Sequence, residues 1–366
     1  MPTRLPTRSD LAAVIPEYCG DRHFGRSLLH AATSVLLTIA TGLLAWRFLP
    51  LAWEWAPLWL LYMVVCGTFA TGVWVVAHEC GHRAFCRGTK LQDSIGFVLH
   101  SAMLVPYFSW QRSHAVHHAK TNHLTEGETH VPKADGTAQA SRSERAGRVM
   151  GRWLRAVVTL ASRLGTGWPM YLLVGATGGP RRGVTNHFWP KAPFSRALFP
   201  GRWPRKVILS SAGVASTIVV LAWWAFMVSN LPTVLALYGG PLLVVNAWLV
   251  AYTWLQHTDV DIPHYDDDDW SFVRGAFCTV DRPYGPVVNF LHHHIGSTHV
   301  AHHINAKIPH YRAKAATQAI ADAFPDLYRY DPTPIPKALW RVARDCHVVA
   351  KSDDGWRFKI AQKSES

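Results

Sequence analysis

PLWLLYMVVCGTFATGVWVVAHECGH, residues 57–82, holds in one run an apolar stretch long enough to cross a membrane and the start of a chemical site. Residues 57–77 contain no charged side chain. At 1.5 Å per residue, about 20 helical residues cross the roughly 30 Å of bilayer hydrocarbon. Polarity then switches at once, with His78 and His82 framing Glu79, Cys80 and Gly81. In a continuing helix, positions i and i+4 share one face, their Cβ atoms about 5–6 Å apart. The two imidazoles can therefore converge on one point just outside the apolar layer.

Three further stretches qualify as spans: 28–49, 207–228 and 232–255. Together with 57–77 they form two hairpins. The first turn contains Pro50, Trp53 and Trp55, and Trp favours the membrane–water boundary. The second turn is only residues 229–231, so spans three and four are expected to be antiparallel neighbours. The connections inside the hairpins carry no Lys or Arg, whereas segment 78–206 carries nineteen. The positive-inside bias puts residues 1–27, segment 78–206 and the C-terminal region 257–366 in the cytosol, hence both termini. Residues 95–108 and 164–178 are too short or too mixed to span and read as interfacial or partly inserted helices. Asp266 to Asp269 reads as a solvated acidic turn.

Composition agrees with this layout. Hydrophobic residues make up 49% of the 366, yet mean hydropathy is near zero, so the apolar residues sit in blocks with polar chain between them. No aromatic–basic nucleic-acid module accompanies the net charge of +13, which points instead to an anionic membrane surface or an acidic partner. The six Cys are scattered without a Cys-x-x-Cys pair and read as reduced thiols. The basic N-terminal segment lacks a short apolar core with a small-residue cleavage site, so no cleaved secretory signal is expected.

Histidine is the unusual residue, with 21 copies. Eight fall in three clusters: His78 and His82; His114, His117 and His118; His299, His302 and His303. In each cluster the first histidine stands three or four residues before the others, a spacing that places it on a common helix face with each of them. Each cluster lies outside the spans, and an even number of spans between the second and third puts all of them on one side. A zinc site takes three or four protein ligands, so eight imidazoles fit two metal ions with positions left for water or oxygen. Imidazole alone does not choose among iron, zinc, copper and nickel. A competing reading takes His78-Glu79-x-x-His82 as the zinc-protease motif with Glu79 as general base. It needs one further ligand and leaves the other two clusters largely idle. A metal transporter would need ionisable residues inside its spans, and these spans carry almost none. Isolated histidines such as His30 and His187 read as packed or solvent-facing residues.

The segments around the clusters resemble the membrane acyl-lipid desaturases of the oleate Δ12 and ω-3 group. The resemblance rests on HECGHRAF (78–85), LVPYFSWQRSHAVHH (104–118), ETHVPK (128–133), TWLQHTDVDIPHYDDDDW (253–270), VRGAFCTVDRPYG (273–285) and STHVAHHINAKIPHY (297–311). It covers roughly residues 60–312. It implies an all-α integral membrane protein: four transmembrane helices in two hairpins under a cytosolic helical cap that holds a di-metal histidine site. It implies two iron ions on the eight histidines of the clusters, O2 as co-substrate, and His257 as an additional ligand; His293 would at most support the ligands. Front-end desaturases carry a fused cytochrome b5 domain and begin the third cluster with Gln. This chain has neither, so the resemblance implies an external electron donor, cytochrome b5 with its reductase, at the endoplasmic reticulum membrane. Val-Ala-His-His at 300–303 and Val-Pro-Lys at 131–133 resemble Δ12 enzymes acting on oleoyl phospholipid more than ω-3 enzymes, although His303-Ile-Asn departs from the His-Leu-Phe common there. Hydroxylases, epoxygenases and conjugases share the same motifs and stay open as alternatives.

Overall fold

A computed structural model describes residues 5–360; the first four residues of segment 1–27 and the last six of region 257–366 lie outside the described residues. Helix α1 (Arg8–Val14) starts with a capping box between Thr7 and Asp10. Then follow α2 (Phe24–Phe48) and α3 (Ala56–Gly81), α4 (Thr89–Ser101), α5 (Tyr107–Ala119), α6 (Ala138–Val174), α7 (Trp203–Met227) and α8 (Leu231–Val234). A π-helical stretch, Leu235–Gly239, joins α8 to α9 (Gly240–His257). The remainder forms α10 (Phe272–Ala276), α11 (Gly285–Leu291), α12 (His299–Ile304), α13 (His310–Ala323) and α14 (Ile335–Asp345). A small sheet was not expected: β1 (Lys133–Ala134) pairs parallel with β2 (Val348–Ser352), which pairs antiparallel with β3 (Gly355–Phe358).

Among the described residues, four helical stretches are long and apolar enough to cross a membrane: Phe24–Phe48, Trp53–Gly81, Trp203–Met227 and Leu231–His257. The outer pair, α2 and α7, leaves Leu36, Leu43, Trp223 and Phe226 uncovered by protein, as lipid-facing residues would be. Helix α3 is the central strut. Ala70, Val73, Trp74 and Val75 pack with Trp110 of α5, Trp168 of α6, and Leu249 and Val250 of α9.

The second hairpin differs from expectation. Helix α7 meets α8 at the turn, but its flank lies against α4 and α5, whereas α9 packs against α3 and α6. Two glycines explain the choice of partners. A Cβ at Gly67 of α3 would lie 2.5 Å from the Val244 Cβ of α9, and one at Gly213 of α7 would lie 2.4 Å from the Ser101 Oγ of α4. Hydrogen at those positions lets the backbones approach closely.

The two short apolar segments also resolve differently. Residues 95–108 are not one helix: α4 ends at Ser101, Leu104 adopts φ +55°, and Pro106 caps the start of α5. Pro106 lacks an N–H and restricts the residue before it, so the chain turns there. Residues 164–178 supply the end of α6, which breaks once at Gly151 and stops at Gly175 in the left-handed conformation. The acidic turn is latched as well as solvated. Asp266 accepts from the Trp356 indole at 3.0 Å and from Lys351 at 3.1 Å, and Asp267 pairs with Arg181.

Candidate metal centre

The ends of α3 and α9 stand side by side and carry His78, His82 and His257; α5 and α12 bring the other six imidazoles in beside them. Helix α12 has only six residues, and a buried carboxylate organises its start: Asp281 accepts from the backbone N–H groups of His299 and, at 3.1 Å, of Val300. An acidic cap satisfies N–H groups that a helix start leaves free.

The nine rings form two adjoining groups. In one, ligand atoms of His78, His82, His114 and His302 all lie within 4.8 Å of one another; in the other, so do those of His117, His257 and His303. In the first group, the Nε2 of His78 is 3.1 Å from that of His114 and 3.2 Å from that of His82. In the second, the Nε2 of His257 is 3.0 Å from that of His117, and His299 adjoins the group with its Nε2 2.9 Å from that of His257. His118 links the groups: its Nε2 is 3.2 Å from that of His114, and its ring stacks on His303 at 4.1 Å. Two nitrogens bound at right angles to one ion, each about 2.1 Å away, would be about 3.0 Å apart. The observed spacings fit ligands held around ions better than nine independent side chains.

Three further features fit metal. The Nε2 atoms of His302 and His303 are buried with no hydrogen-bond partner, a condition that costs free energy unless something binds there. The outer Nδ1 of His303 is 3.0 Å from the Thr121 hydroxyl, which aims the Nε2 inward. Burial, reinforced by neighbouring imidazoles, pushes His82, His114, His118, His299 and His303 well below the usual histidine range; burial takes His117 to about 4 and His302 to about 3. Neutral imidazole is the ligating form. Indole rings set the ring planes: Trp74 stacks on His78 and Trp110 on His114.

The remaining histidines separate cleanly. His187 is buried against Tyr171, its Nδ1 3.2 Å from the Leu172 carbonyl, and serves packing. His293 stands outside the nine, with its Nε2 3.0 Å from the Ser34 hydroxyl, beside His310 and His30. Glu79 is turned to that same place and accepts the His310 N–H at 2.8 Å. The protease motif thus has its carboxylate engaged elsewhere, and His114 and His302, which it left idle, share a group with its two histidines. Sequence reasoning missed Thr121 and Asp281. Thr121 follows His118 by three residues, a helix-face spacing that offered a signal; the pairing of Asp281 with α12 is long-range and offered none.

A cavity of about 250 Å³ opens against His114 and His117. Trp74, Trp110, Trp168, Met170 and Val250 line it, with Glu128, His130 and Arg163 at its polar part. Burial raises the Glu128 carboxyl to about 8, against the pull of the Tyr171 hydroxyl and Arg182. A raised acid holds its proton more tightly in the folded protein than in the unfolded chain. Its stabilising contribution is complete below the unfolded value, about 4.5, and is lost as pH rises through about 8. Glu128→Gln cannot ionise, so its thermal midpoint relative to the parent should climb between about pH 5 and pH 9; parallel midpoint curves for the two proteins would refute this.

A helical, membrane-type fold with a histidine assembly able to hold metal defines the class of protein, and comparison with known proteins gives the family. The fatty acid desaturase family model matches residues 53–334. An oleoyl-12-hydroxylase of Ricinus communis is 41% identical over 353 residues, covering 95% of this chain and 88% of that protein. A Δ12 fatty acid desaturase of Arabidopsis thaliana is 38% identical, covering 94% and 88%. An endoplasmic reticulum ω-6 fatty acid desaturase of Brassica juncea is 38% identical, covering 95% and 89%. The chain belongs to the fatty acid desaturase family. It is accordingly an oxidoreductase of fatty acyl chains, from a family that generally uses iron.

Proposed function

We propose that the protein desaturates the acyl chain of a membrane lipid with O2 and a di-iron centre held by His78, His82, His114, His117, His118, His257, His299, His302 and His303, and that the reaction is Δ12 desaturation of oleoyl to linoleoyl groups. The observation that carries this reading is the apolar cavity that ends on His114 and His117 of a buried nine-histidine assembly.

An unactivated methylene has no acidic proton, so the side chains cannot start the reaction by acid–base chemistry. Two iron ions, when bound, supply the activation of oxygen and the removal of one hydrogen from each of two adjacent carbons. The acyl chain gives up two hydrogens, a donor supplies two electrons, and O2 with two protons from solvent leaves as two waters. The protein's part is placement. Trp74, Trp110 and Trp168 shape an apolar wall that excludes water and holds the chain with its reacting carbons beside His114 and His117. Depth of insertion would then set which bond is oxidised.

The same reading places segment 78–206, region 257–366 and both termini in the cytosol, at the endoplasmic reticulum membrane; the nineteen Lys and Arg of segment 78–206 support it. Its basic face suits an acidic donor, cytochrome b5 fed by its reductase. A second reading, hydroxylation at the same carbon, is favoured by the 41% identity to the Ricinus communis oleoyl-12-hydroxylase. Expression in yeast tests both, because yeast makes oleate and cytochrome b5 but no linoleate. New linoleate is the expected product. A hydroxy acyl product would transfer the assignment to the second reading, and no new product from well-expressed protein would reject both.

A further inference from the structure

Away from the nine histidines lies a second kind of cluster. His30 of α2, His293 before α12 and His310 at the start of α13 bring ligand nitrogens within 4.8 Å of one another. The ring centroids of His310 lie 4.6 Å from His30 and 4.7 Å from His293. Glu79 of α3 stands behind this group, its Oε2 3.4 Å from the His310 Nδ1, the ring nitrogen opposite Nε2. Glu79, His293 and His310 are all more than nine-tenths buried. The Nδ1 of His293 and the Nε2 of His310 have no hydrogen-bond partner among the described residues. Buried polar atoms of this kind are rare unless a ligand satisfies them. His293 and His294 both hold positive φ, +54° and +62°, which non-glycine residues adopt only when their surroundings demand it. That conformation belongs to the turn that carries His293 into the cluster.

We propose that His30, His293 and His310 bind a third metal ion, a zinc-class divalent cation, separate from the pair on the nine histidines. The donor set argues for this cation. Three imidazoles suit zinc, which takes three or four protein ligands, and Glu79 on the outer nitrogen of His310 is the carboxylate partner that orients a ligating imidazole. The apolar cavity that touches His114 and His117 does not reach these residues. Entry is available: a cavity of about 200 Å³ lined by Leu29, Leu37, Phe69 and Phe290 ends on His30 and His293. His30 is the half-buried member. The ion would act as a clasp. His293 precedes α12 and His310 follows it, so one ion would fasten both ends of the segment that bears His299, His302 and His303 to α2, with Glu79 holding His310 to α3.

The test uses full-length purified protein, loaded with iron and then titrated with Co2+ and with Zn2+. The wild-type protein should take up one further ion per chain, Co2+ giving the visible absorption of a tetrahedral site and Zn2+ displacing it. His30→Leu should weaken that uptake by more than the roughly 100-fold that loss of an outer partner can cost, with iron content unchanged. His293→Asn gives the same readout if His30→Leu does not fold. Absence of a further ion in the wild-type protein, or equal uptake by folded His30→Leu or His293→Asn, overturns the proposal. Loss of iron together with cobalt would place these residues in the support of the main assembly and overturn it as well.

Discussion

His303→Ala is expected to abolish product and to halve bound iron, with the helical fold retained. His303 belongs to the second group, where its Nε2 is buried and free of any protein partner. Alanine removes that donor and would leave His117, His257 and the adjoining His299 for the proposed ion. Residual turnover is not expected, because the proposed reaction needs both ions of a pair. Thr121→Val supplies a graded comparison. It keeps the imidazole but removes the hydroxyl 3.0 Å from Nδ1. Loss of such an outer partner typically costs about 10–100-fold in metal affinity or activity. Product formation and iron content measured side by side on purified variants check both. Normal turnover by His303→Ala would sink the proposed ligand set, and a Thr121→Val effect as severe as His303→Ala would mean that the ring's orientation depends on Thr121 alone.

The spans were legible because length and hydropathy act locally: a run such as 57–77 must bury its backbone in a helix wherever it lies. Which spans touch was not legible. The short 229–231 turn implied a packed hairpin, but Gly67 and Gly213 decide the contacts, and a glycine in an apolar run does not name its partner. The helical nature of 95–108 was visible, while the break at Leu104 to Pro106 was hidden by apolar residues on both sides. The sheet joins residues 133–134 to 348–352 across the chain, and two-residue strands leave no periodicity to read.

The site was more legible than the packing because its chemistry repeats. Three clusters with helix-face spacings announce convergent imidazoles, and even span parity puts them on one side. His257 needed the family resemblance, since a single histidine at a helix end has no spacing to test. His30 read as an isolated residue for the same reason; His293 and His310 reach it from more than 250 residues further along the chain. What chain-local reasoning lacked in each case was a long-range partner, whether Thr121 for His303, Asp281 for α12 or Glu79 for His310.

Arg282→Met should be the most damaging change outside the histidines. The guanidinium has no solvent exposure and sits between two acids: Nη2 donates to Asp259 at 2.6 Å, and Nη1 pairs with Asp331. Its Nε donates to the Leu255 carbonyl at 3.1 Å, near the end of α9. Asp259 lies two residues after His257, and Asp281, beside Arg282, caps the helix that begins with His299. The dipeptide 281–282 therefore ties His257 and His299 to one point. Breaking a buried pair by removing one partner costs about 3–5 kcal/mol, because the other charge stays buried. Arg341 still reaches Asp259 at 2.5 Å and Asp331 at 2.6 Å, and Asp331 is partly exposed, so the lower end of that range is expected. Arg282→Lys should recover only part, since an ammonium cannot serve both acids and the carbonyl in one plane. Thermal unfolding in detergent at low and high salt checks the argument. A buried network is little screened, so the loss should persist at high salt. The Met variant should also bind less iron than its folded fraction predicts, because His257 and His299 lose their common anchor. A midpoint and iron content equal to those of the parent would show that the histidines hold their places without this network.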